Sequence, residues 1–241
     1  YYEDYIKWKN NGCPINLNVL ELNINDLSYL RFFDFSKPKI RSLEGINNLT
    51  NLITLDCRSI QITSLEPIKN LYDLRELGCG TNKISSLKPI NNLINLEILY
   101  CSNNQIKSLK GIDLCNLKEL DCSQNQIKSL KPINNLINLQ TLDCSDNQIQ
   151  SLEPINKLTK LEALFCCNNQ ITLLEPIFNL TNLKILSCGS NYITSLLPIN
   201  NLTNLSNIFY YNNSIEYIPP NILRRLNQLK NHQNIYKDNQ N

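Results

Sequence analysis

Residues 139–160 read LQTLDCSDNQIQSLEPINKLTK, and this stretch decides the fold because the same frame recurs along the chain. Numbered from Leu139 as slot one, the frame is LxxLxCxxNxIxxLxPIxxLxx over 22 slots. A period of this size is the signature of a repeat architecture. Seven cysteines occupy slot six of successive copies, at intervals of 22, 22, 21, 22, 22 and 22 residues: Cys57, Cys79, Cys101, Cys122, Cys144, Cys166 and Cys188.

The frame extends beyond the cysteine copies in both directions. An earlier copy fills its apolar slots with Leu30, Phe33, Phe35 and Ile40, and a later copy with Leu205, Ile208, Tyr210 and Ile215. The chain therefore contains about nine coils. The single 21-residue interval arises in SLKGIDLCNL at residues 108–117, where one residue is missing on the side that we expect to be the outer one.

The order of apolar slots predicts a short strand in every coil. Slots four and six share parity, so on an extended segment their side chains point to one side, and those of slots three, five and seven point to the other. Strands one period apart should pair in parallel, about 4.8 Å from each other. The predicted fold class is therefore an α/β solenoid, with short parallel strands on its concave face and short 3-10 or helical turns on its convex face.

This frame resembles the leucine-rich-repeat family, and the 22-residue length with SLxPIxNLxNL resembles the internalin and phosphatase-regulator type. The resemblance covers roughly residues 27–219 and implies a curved, right-handed leucine-rich-repeat stack of about nine coils. The Asn-, Ile- and Lys-rich composition, with cysteine at slot six, is also similar to repeat proteins of giant amoebal DNA viruses and of AT-rich protists.

Two further slots have a predicted structural role. The amide at slot nine can bond backbone groups of its own turn and of the adjacent coil, which would otherwise be buried unpaired at a cost of about 1–3 kcal/mol each. Proline at slot sixteen fixes φ at the start of a short turn. Slot nine holds Asn82, Asn104, Asn125, Asn147, Asn169, Asn191 and Asn213. Slot sixteen holds Pro67, Pro89, Pro132, Pro154, Pro176 and Pro198, with Gly45 and Gly111 in the same place twice.

Stacking, rather than any one coil, must stabilise such a chain. An isolated coil exposes two bare faces and cannot offset an ordering entropy of about 1–2 kcal/mol per residue, so the ends of the stack need caps. We assign residues 1–29 to an N-terminal cap, 30–219 to the repeats and 220–241 to a C-terminal capping helix and tail. In the last segment, Ile222, Leu223, Leu226 and Leu229 are at helical spacing.

The cysteines of slot six are predicted to be buried thiols. Their side chains project in parallel from adjacent strands, which is a poor arrangement for disulfide geometry, and free cysteine behaves as a small hydrophobe. A zinc site would need cysteine pairs or histidine at short spacing, and the one histidine is His232. We therefore expect no metal and no cofactor. Cys167 is predicted on the exposed strand face as a surface thiol, and the roles of Cys13 and Cys115 stay open.

Several classes of function are disfavoured by the sequence. No phosphate loop, GxSxG elbow or HExxH motif is present, so we predict that the chain is not an enzyme. The formal net charge is only +2, and no apolar run is long enough to span a bilayer. We expect no nucleic acid or membrane partner, and a monomer. A lysine cluster predicted on the convex side is interpreted as a solvated row, because aromatic residues are not interleaved with it: Lys88, Lys107, Lys110, Lys128 and Lys131.

The candidate site lies where residues vary while the frame stays fixed, in the outward slots three, five and seven. Aromatic anchors dominate the energetics of protein interfaces. Neighbouring aspartates, Asp34 with Asp56 and Asp121 with Asp143, repel each other unless a cationic partner or solvent relieves them. We predict a protein partner with basic and apolar features. The predicted partner-binding residues are Phe32, Asp34, Asp56, Tyr100, Asp121, Asp143, Phe165, Phe209 and Tyr211.

The leading hypothesis is a protein–protein interaction module, an adaptor or regulatory scaffold whose reduced core thiols suit the cytoplasm, or the host cytoplasm if the protein is viral. One alternative is an extracellular adhesion or invasion protein similar to the internalins. That function needs an export signal, and the opening YYEDYIKWKNNG has no signal-peptide character. The other alternative is a structural repeat protein without a dedicated partner, which the sequence does not separate from the first hypothesis.

Overall fold

The structure, a computed structural model, describes residues 32–34, 42–229 and 231–233, the first and last of these as backbone strands. Ten three-residue strands form one sheet in chain order, and every neighbouring pair is parallel. The strands are β1 Phe32–Asp34, β2 Thr54–Asp56, β3 Glu76–Gly78, β4 Ile98–Tyr100, β5 Glu119–Asp121, β6 Thr141–Asp143, β7 Ala163–Phe165, β8 Ile185–Ser187, β9 Asn207–Phe209 and β10 Asn231–Gln233. The predicted fold class, a solenoid with a concave parallel sheet, is confirmed.

The strands occupy slots three to five, as the frame predicts, and each coil is named here by the number of its strand. Slot four pairs with slot four of the next coil, as in Leu142 with Leu164. The register is kept across the short coil, where Leu99 pairs with Leu120. The tenth strand was not predicted, because its segment falls in the C-terminal tail and lacks the repeat frame.

Leucine, isoleucine and cysteine form one continuous core along the described stack, from Leu43 in the first coil to Leu229 after the last. The side chains of Leu142 and Cys144 have no exposed surface, whereas Asp143 between them is half-buried on the other side of the strand. Each fully buried apolar side chain of this size contributes roughly 1.5–3 kcal/mol relative to an exposed one. Because each coil contacts only its neighbours, these contributions depend on stacking.

The side opposite the sheet consists of short 3-10 helices, as predicted. In six of the seven described 3-10 helices, the slot-sixteen proline is the second residue. A serine at slot thirteen accepts a hydrogen bond from the backbone N–H at slot fifteen, as Ser151 does from Glu153 at 3.1 Å. The 3-10 helices are Ile46–Asn48, Glu66–Ile68, Lys88–Ile90, Lys131–Ile133, Glu153–Ile155, Glu175–Ile177 and Leu197–Asn201.

The fourth coil differs because it is one residue shorter, and the difference falls on the outer side, where we expected it. Residues 109–114 contain no 3-10 helix. Gly111 has φ +97°, and a Cβ atom at this position would lie 2.8 Å from Cα of Lys88 on the preceding coil. At Gly111 the two coils therefore approach so closely that a side chain would block the contact.

The asparagines of slot nine, named here the inner asparagine row, join adjacent coils. Nδ2 of Asn147 donates to the carbonyl oxygens of Cys122, Cys144 and Ser145 at 3.0–3.1 Å. Its Oδ1 accepts from the backbone N–H of Ile127 at 2.9 Å. Each asparagine therefore satisfies backbone groups of two coils, which confirms the role predicted for this slot.

A second set of asparagines at slot 22, named here the outer asparagine row, was not predicted. Their side-chain amides donate to the carbonyl oxygen at slot 21 of the preceding coil, as Asn138 does to Cys115 at 2.9 Å. The row comprises Asn95, Asn116, Asn138, Asn182 and Asn204. These bonds are exposed to water, so each contributes less than a bond of the inner row.

Helix α1, Pro220–Gln228, lies against the last coils and buries Ile222 and Leu226. Nη2 of Arg225 donates to the carbonyl oxygens of Leu202, Thr203 and Leu205 at 3.1–3.2 Å. No helix in the described part of the chain is long and apolar enough to cross a membrane. The N-terminal cap assigned to residues 1–29 lies outside the described residues, and the three-part division of the chain stays a prediction.

Candidate protein-binding face

The side chains of slots three, five and seven form the concave face. Strand alternation turns them away from the core, and most of them are half-buried because the strands on either side shield them. Arg58 is exposed, and Cys167 and the glycines of these slots are buried. Phe32 and Asp34 are placed in the same slots on β1 by their backbone. The other predicted site residues all lie on this face and are half-buried: Asp56, Tyr100, Asp121, Asp143, Phe165, Phe209 and Tyr211.

Charge is segregated along the concave face. In coils two to six it carries five carboxylates and one cation, Arg58, and we name this region the acidic half. In coils seven to nine the three slots hold no charged residue, and we name this region the apolar half. The carboxylates are Asp56, Glu76, Glu119, Asp121 and Asp143. The large apolar side chains of the apolar half are Phe165, Ile185, Phe209 and Tyr211.

Asp56 has a cationic partner on its own coil, Arg58, which the sequence analysis did not identify. Nε of Arg58 lies 2.9 Å from Oδ1 of Asp56, and Nη2 lies 2.5 Å from Oδ2. The pair is partly exposed, so it contributes little to stability. Slots five and seven share parity, so the two side chains meet on one face, a contact that the sequence pattern already contained.

Asp121 and Asp143 are adjacent on paired strands, as predicted, and both also cap a turn. Oδ1 of Asp121 accepts from the backbone N–H of Ser123 at 3.0 Å, and Oδ1 of Asp143 from that of Ser145 at 2.9 Å. Burial raises the pKa of Asp143, the bonds from Ser145 oppose the rise, and the charge of Asp121 adds to it. A cation placed over this pair would favour the charged form.

Tyr100 links two coils of the acidic half. Its hydroxyl donates to Oε2 of Glu119 at 2.9 Å, and burial together with this bond raises the pKa of Tyr100 to about 12. Burial also raises the pKa of Glu76, and the charges of Asp56 and Glu119 add to the effect. The carboxylates of this half therefore act on one another and form one negative surface.

The apolar half contains a fixed aromatic ring. A Cβ atom at Gly189 would lie 2.6 Å from ring atoms of Tyr211, so the ring packs directly on the glycine backbone. Cys167 raises the pKa of Tyr211 through its charge and through a side-chain hydrogen bond. Sγ of Cys167 also lies 3.0 Å from Oγ of Ser187. Only 9% of Cys167 is exposed, so the prediction of a surface thiol was wrong, because the neighbouring coil covers it.

Slot two borders the concave face with exposed ion pairs. Glu97 is paired with both Arg75 and Lys118, and Glu162 is paired with Lys184. Such exposed pairs contribute about 0–1 kcal/mol each. Beside them lies an open polar cavity of about 270 Å³, which is lined by Glu97, Asn116, Lys118, Asn138, Gln140 and Lys160.

The seven cysteines of slot six, named here the cysteine row, are free thiols without exposed surface. Burial raises the pKa of each, that of Cys79 to about 12. At neutral pH they are therefore protonated, and thiolate is the form that acts as a nucleophile or metal ligand. Within the described ranges, no group of three or more His, Cys, Asp or Glu side chains is arranged to hold a metal ion.

Comparison with known proteins supports the assignment that the geometry suggests. A family model described as leucine-rich repeats in two copies matches residues 50–93, 94–136 and 137–179. Among solved structures, internalin C2 of Listeria monocytogenes is 32% identical, with a TM-score of 0.74 over 78% of this chain and 83% of that chain. The comparison with curated proteins finds no match.

Two more solved structures have the same fold. The internalin InlF of Listeria monocytogenes is 31% identical, with a TM-score of 0.70, and the match covers 88% of this chain and 69% of that chain. The protein LIC12759 of Leptospira interrogans is 27% identical, with a TM-score of 0.71, and the match covers 89% and 64%. These neighbours support a repeat module for protein–protein interaction, which is typically not an enzyme. With the family model matching more than half of its length, the chain belongs to the leucine-rich-repeat family.

Proposed function

We propose that the concave face binds one protein partner and that the chain serves as an adaptor or regulatory scaffold. The observation that carries this proposal is the segregation of charge on that face. The acidic half offers five carboxylates against one cation, and the apolar half offers four large apolar side chains without any charge. A partner that fits both halves carries basic groups at one end of its contact surface and apolar groups at the other.

The spacing of the strands sets the distance between the basic and the apolar groups of this partner. Strands in a sheet are about 4.8 Å apart, so the centres of the two halves, at β4 and β8, are roughly 20 Å apart along the stack. The contact surface of the partner must separate its basic and apolar groups by a similar distance. This excludes a short peptide whose charged and apolar residues are adjacent.

The two halves should contribute differently to binding. Phe165 and Phe209 are half-buried before binding and lose little conformational freedom on contact, which favours aromatic side chains as anchors of about 2 kcal/mol or more. The carboxylates act over longer distances and determine the association rate and its dependence on salt. We therefore expect salt to slow association and loss of the aromatic anchors to speed dissociation.

Affinity capture from cells of the source organism, followed by mass spectrometry, tests the proposal. The wild-type chain and the Phe165→Ala/Phe209→Ala variant are used as baits, with Ile137→Ala as a control for the loss of an exposed apolar side chain outside the concave face. We expect wild type and control to retain the same protein and the double variant to lose it. Equal capture by all three baits would contradict a site on the concave face.

A second candidate function is favoured by the similarity to internalin C2 and InlF. An adhesion protein of that kind would bind intact target cells from outside, and binding of the purified chain to such cells would distinguish it. The cytoplasmic location stays a prediction, supported by nine described cysteines that are all free. A viral origin also stays a prediction. The third reading, a structural repeat protein, is favoured if no bait retains a partner.

A further inference from the structure

The convex side carries charge and apolar side chains in the same order along the stack as the concave face, but with charge of the opposite sign. We propose that a second copy of this chain is a ligand of the concave face. In this arrangement the convex side of one copy packs into the concave face of the next, with both stacks running in the same direction. The inference rests on the concave face being the binding face proposed above.

A basic patch occupies slots twelve and fifteen of coils three to five. Its five lysines are exposed, and slots twelve, thirteen and fifteen of these coils hold no carboxylate. None of the ion pairs among the described residues involves any of the five. The patch consists of Lys88, Lys107, Lys110, Lys128 and Lys131.

The basic patch has sharp limits along the stack. Slot fifteen is Glu66 in the coil before it and Glu153 in the coil after it. Within the patch, like charges on adjacent coils repel one another, which is unfavourable until opposite charge approaches. The patch therefore provides a defined surface for an anionic group and distinguishes three coils from their neighbours.

The convex side of coils seven to nine exposes large apolar side chains. Leu173, Leu197 and Tyr217 are 55%, 52% and 68% exposed, with Glu175 and Glu216 beside them in the same set of slots. Leu173 and Tyr217 stand at slot thirteen, where a serine accepts a hydrogen bond from the backbone N–H of slot fifteen in the seven other coils. These two side chains replace a favourable cap, so the turn does not require them.

The order of the two surfaces selects the direction of packing. In the parallel arrangement, the basic patch of coils three to five lies over the acidic half of coils two to six. The apolar convex side of coils seven to nine lies over the apolar half of the same coils. The antiparallel arrangement places the lysines over uncharged aromatic side chains and places Glu175 and Glu216 over carboxylates. The parallel arrangement opposes the lysines of coils three to five to Glu76, Glu119 and Asp121 and buries both apolar surfaces. Glu66 and Glu153 then lie at the margins of the acidic half, so the unlike charges meet at its centre.

Contact between two different faces has a consequence for assembly. A convex-to-concave contact is heterologous, so it leaves one free face at each end and extends into open chains. The net charge of +2 offers little repulsion between copies, because the charges are separated on the two faces rather than in excess. The proposed arrangement differs from the monomer that the sequence led us to expect, and the state of the chain in solution decides between the two.

Sedimentation velocity of the full chain tests the inference over a wide range of protein concentration. At about 50 mM salt we expect the weight-average sedimentation coefficient to rise with concentration beyond the value for a dimer. At about 500 mM salt we expect it to return toward the monomer, because charges on the exposed faces are screened. A wild-type chain that stays monomeric throughout, or that stops at a closed dimer, overturns the inference.

Charge reversal identifies the two faces. A convex variant carries Lys88→Glu, Lys110→Glu and Lys131→Glu, and a concave variant carries Glu76→Lys and Glu119→Lys, which leaves the turn-capping aspartates in place. We expect each variant alone to be monomeric. Their equimolar mixture should form a 1:1 complex that grows no further. The convex variant keeps a native concave face and the concave variant keeps a native convex side, so only one contact can form in each pair.

A control variant, Lys69→Glu/Lys157→Glu/Lys160→Glu, changes the net charge by the same amount as the convex variant, with exposed lysines outside the basic patch. It should associate like wild type, and circular dichroism should show native spectra for all variants. Association of the convex variant at the wild-type level overturns the inference. That result leaves the proposed function standing, because capture of another protein by the Phe165 and Phe209 anchors is measured separately.

Discussion

Two rows of side chains run side by side along the stack, and their compositions differ sharply. Slot nine holds asparagine in seven coils, whereas slot five holds Asp, Gly, Tyr, Phe and Ser. Each inner asparagine bonds the backbone of two coils, so almost any replacement leaves buried groups unpaired. A side chain at slot five bonds at most its own turn or a surface neighbour. Repetition therefore marks the contacts that hold the stack together, and variation marks the surface that is free to recognise a partner.

Replacing an inner asparagine should give the largest loss of stability. Asn169 is 7% exposed and makes four bonds, to Ile149, Cys144, Cys166 and Cys167. Asn169→Ala should lower the free energy of unfolding by about 3 kcal/mol or more, because several buried polar groups lose their partners. Urea denaturation followed by circular dichroism measures this loss.

The matched control is Asn182→Ala in the outer asparagine row, where one exposed bond to the Thr159 carbonyl is lost. That variant should lose only about 0.5–1.5 kcal/mol. Similar losses in the two variants would mean that the inner asparagine row contributes no more to stability than the outer asparagine row.

Gly111→Ala should give the next largest effect. The left-handed backbone and a Cβ atom 2.8 Å from Cα of Lys88 together should lower the free energy of unfolding by about 2–3 kcal/mol. Gly78→Ala on the concave face is the control, because its Cβ atom would lie 3.3 Å from the terminal Oδ1 of a side chain that can move. A larger loss at Gly78 than at Gly111 would argue against the backbone contact at the short coil.

Raising the pH above 9 should lower the free energy of unfolding gradually, because the buried thiols are harder to ionise than exposed ones. Burial raises the pKa of the cysteine-row thiols from 9.0, that of Cys79 to about 12, so above pH 9 the unfolded chain ionises first. The contribution of these thiols to the free energy of unfolding is therefore fully present below pH 9. It falls between pH 9 and 12, by up to about 1.4 kcal/mol per pH unit for each thiol.

Cys144→Ala should reduce that slope by the contribution of one thiol, whereas Ile149→Val, a substitution of a buried residue that does not titrate, should leave it unchanged. Denaturation series at several pH values measure the slopes. Equal slopes in wild type and Cys144→Ala would show that this thiol ionises as readily in the folded chain as in the unfolded one.

The smallest effect is expected on the concave face. Burial raises the pKa of Asp143, so its ionisation costs some stability as pH rises above 3.8. Asp143→Asn removes that cost and keeps an oxygen for the backbone of Ser145, so the free energy of unfolding at pH 7 should change by no more than about 0.5 kcal/mol. The variant should nevertheless bind a basic partner more weakly. A large loss of stability would assign Asp143 to the framework instead.

Much of this architecture could be predicted from the spacing of a few residues. Strand positions, the burial of Cys144 and the role of Asn147 all follow from a period that places like residues on like residues. The bond from Asn138 to the Cys115 carbonyl was not predicted, because slot 22 is less uniform than slot nine and holds Asp73 and Lys160 in two coils. The tenth strand lies where the frame has ended, so no pattern indicated it.

The surface was harder to predict, because side chains there respond to individual neighbours rather than to the period. The pairing of Asp56 with Arg58 was not foreseen, although both residues lie in slots of the concave face. Cys167 was expected to be exposed, yet Tyr211 and Ser187 on later coils cover it. The partner-binding residues stay predictions, since their exposure permits contact and only a binding measurement establishes it.

Thiol mapping by alkylation and mass spectrometry tests most directly whether the repeated side chains form the interior and leave the varied ones outside. In native buffer we expect Cys115 to be modified quickly and all seven cysteines of the cysteine row to react only when denaturant unfolds the stack. Modification of the row in native buffer at the rate seen in denaturant would contradict both the stacked interior and the concave face derived from it.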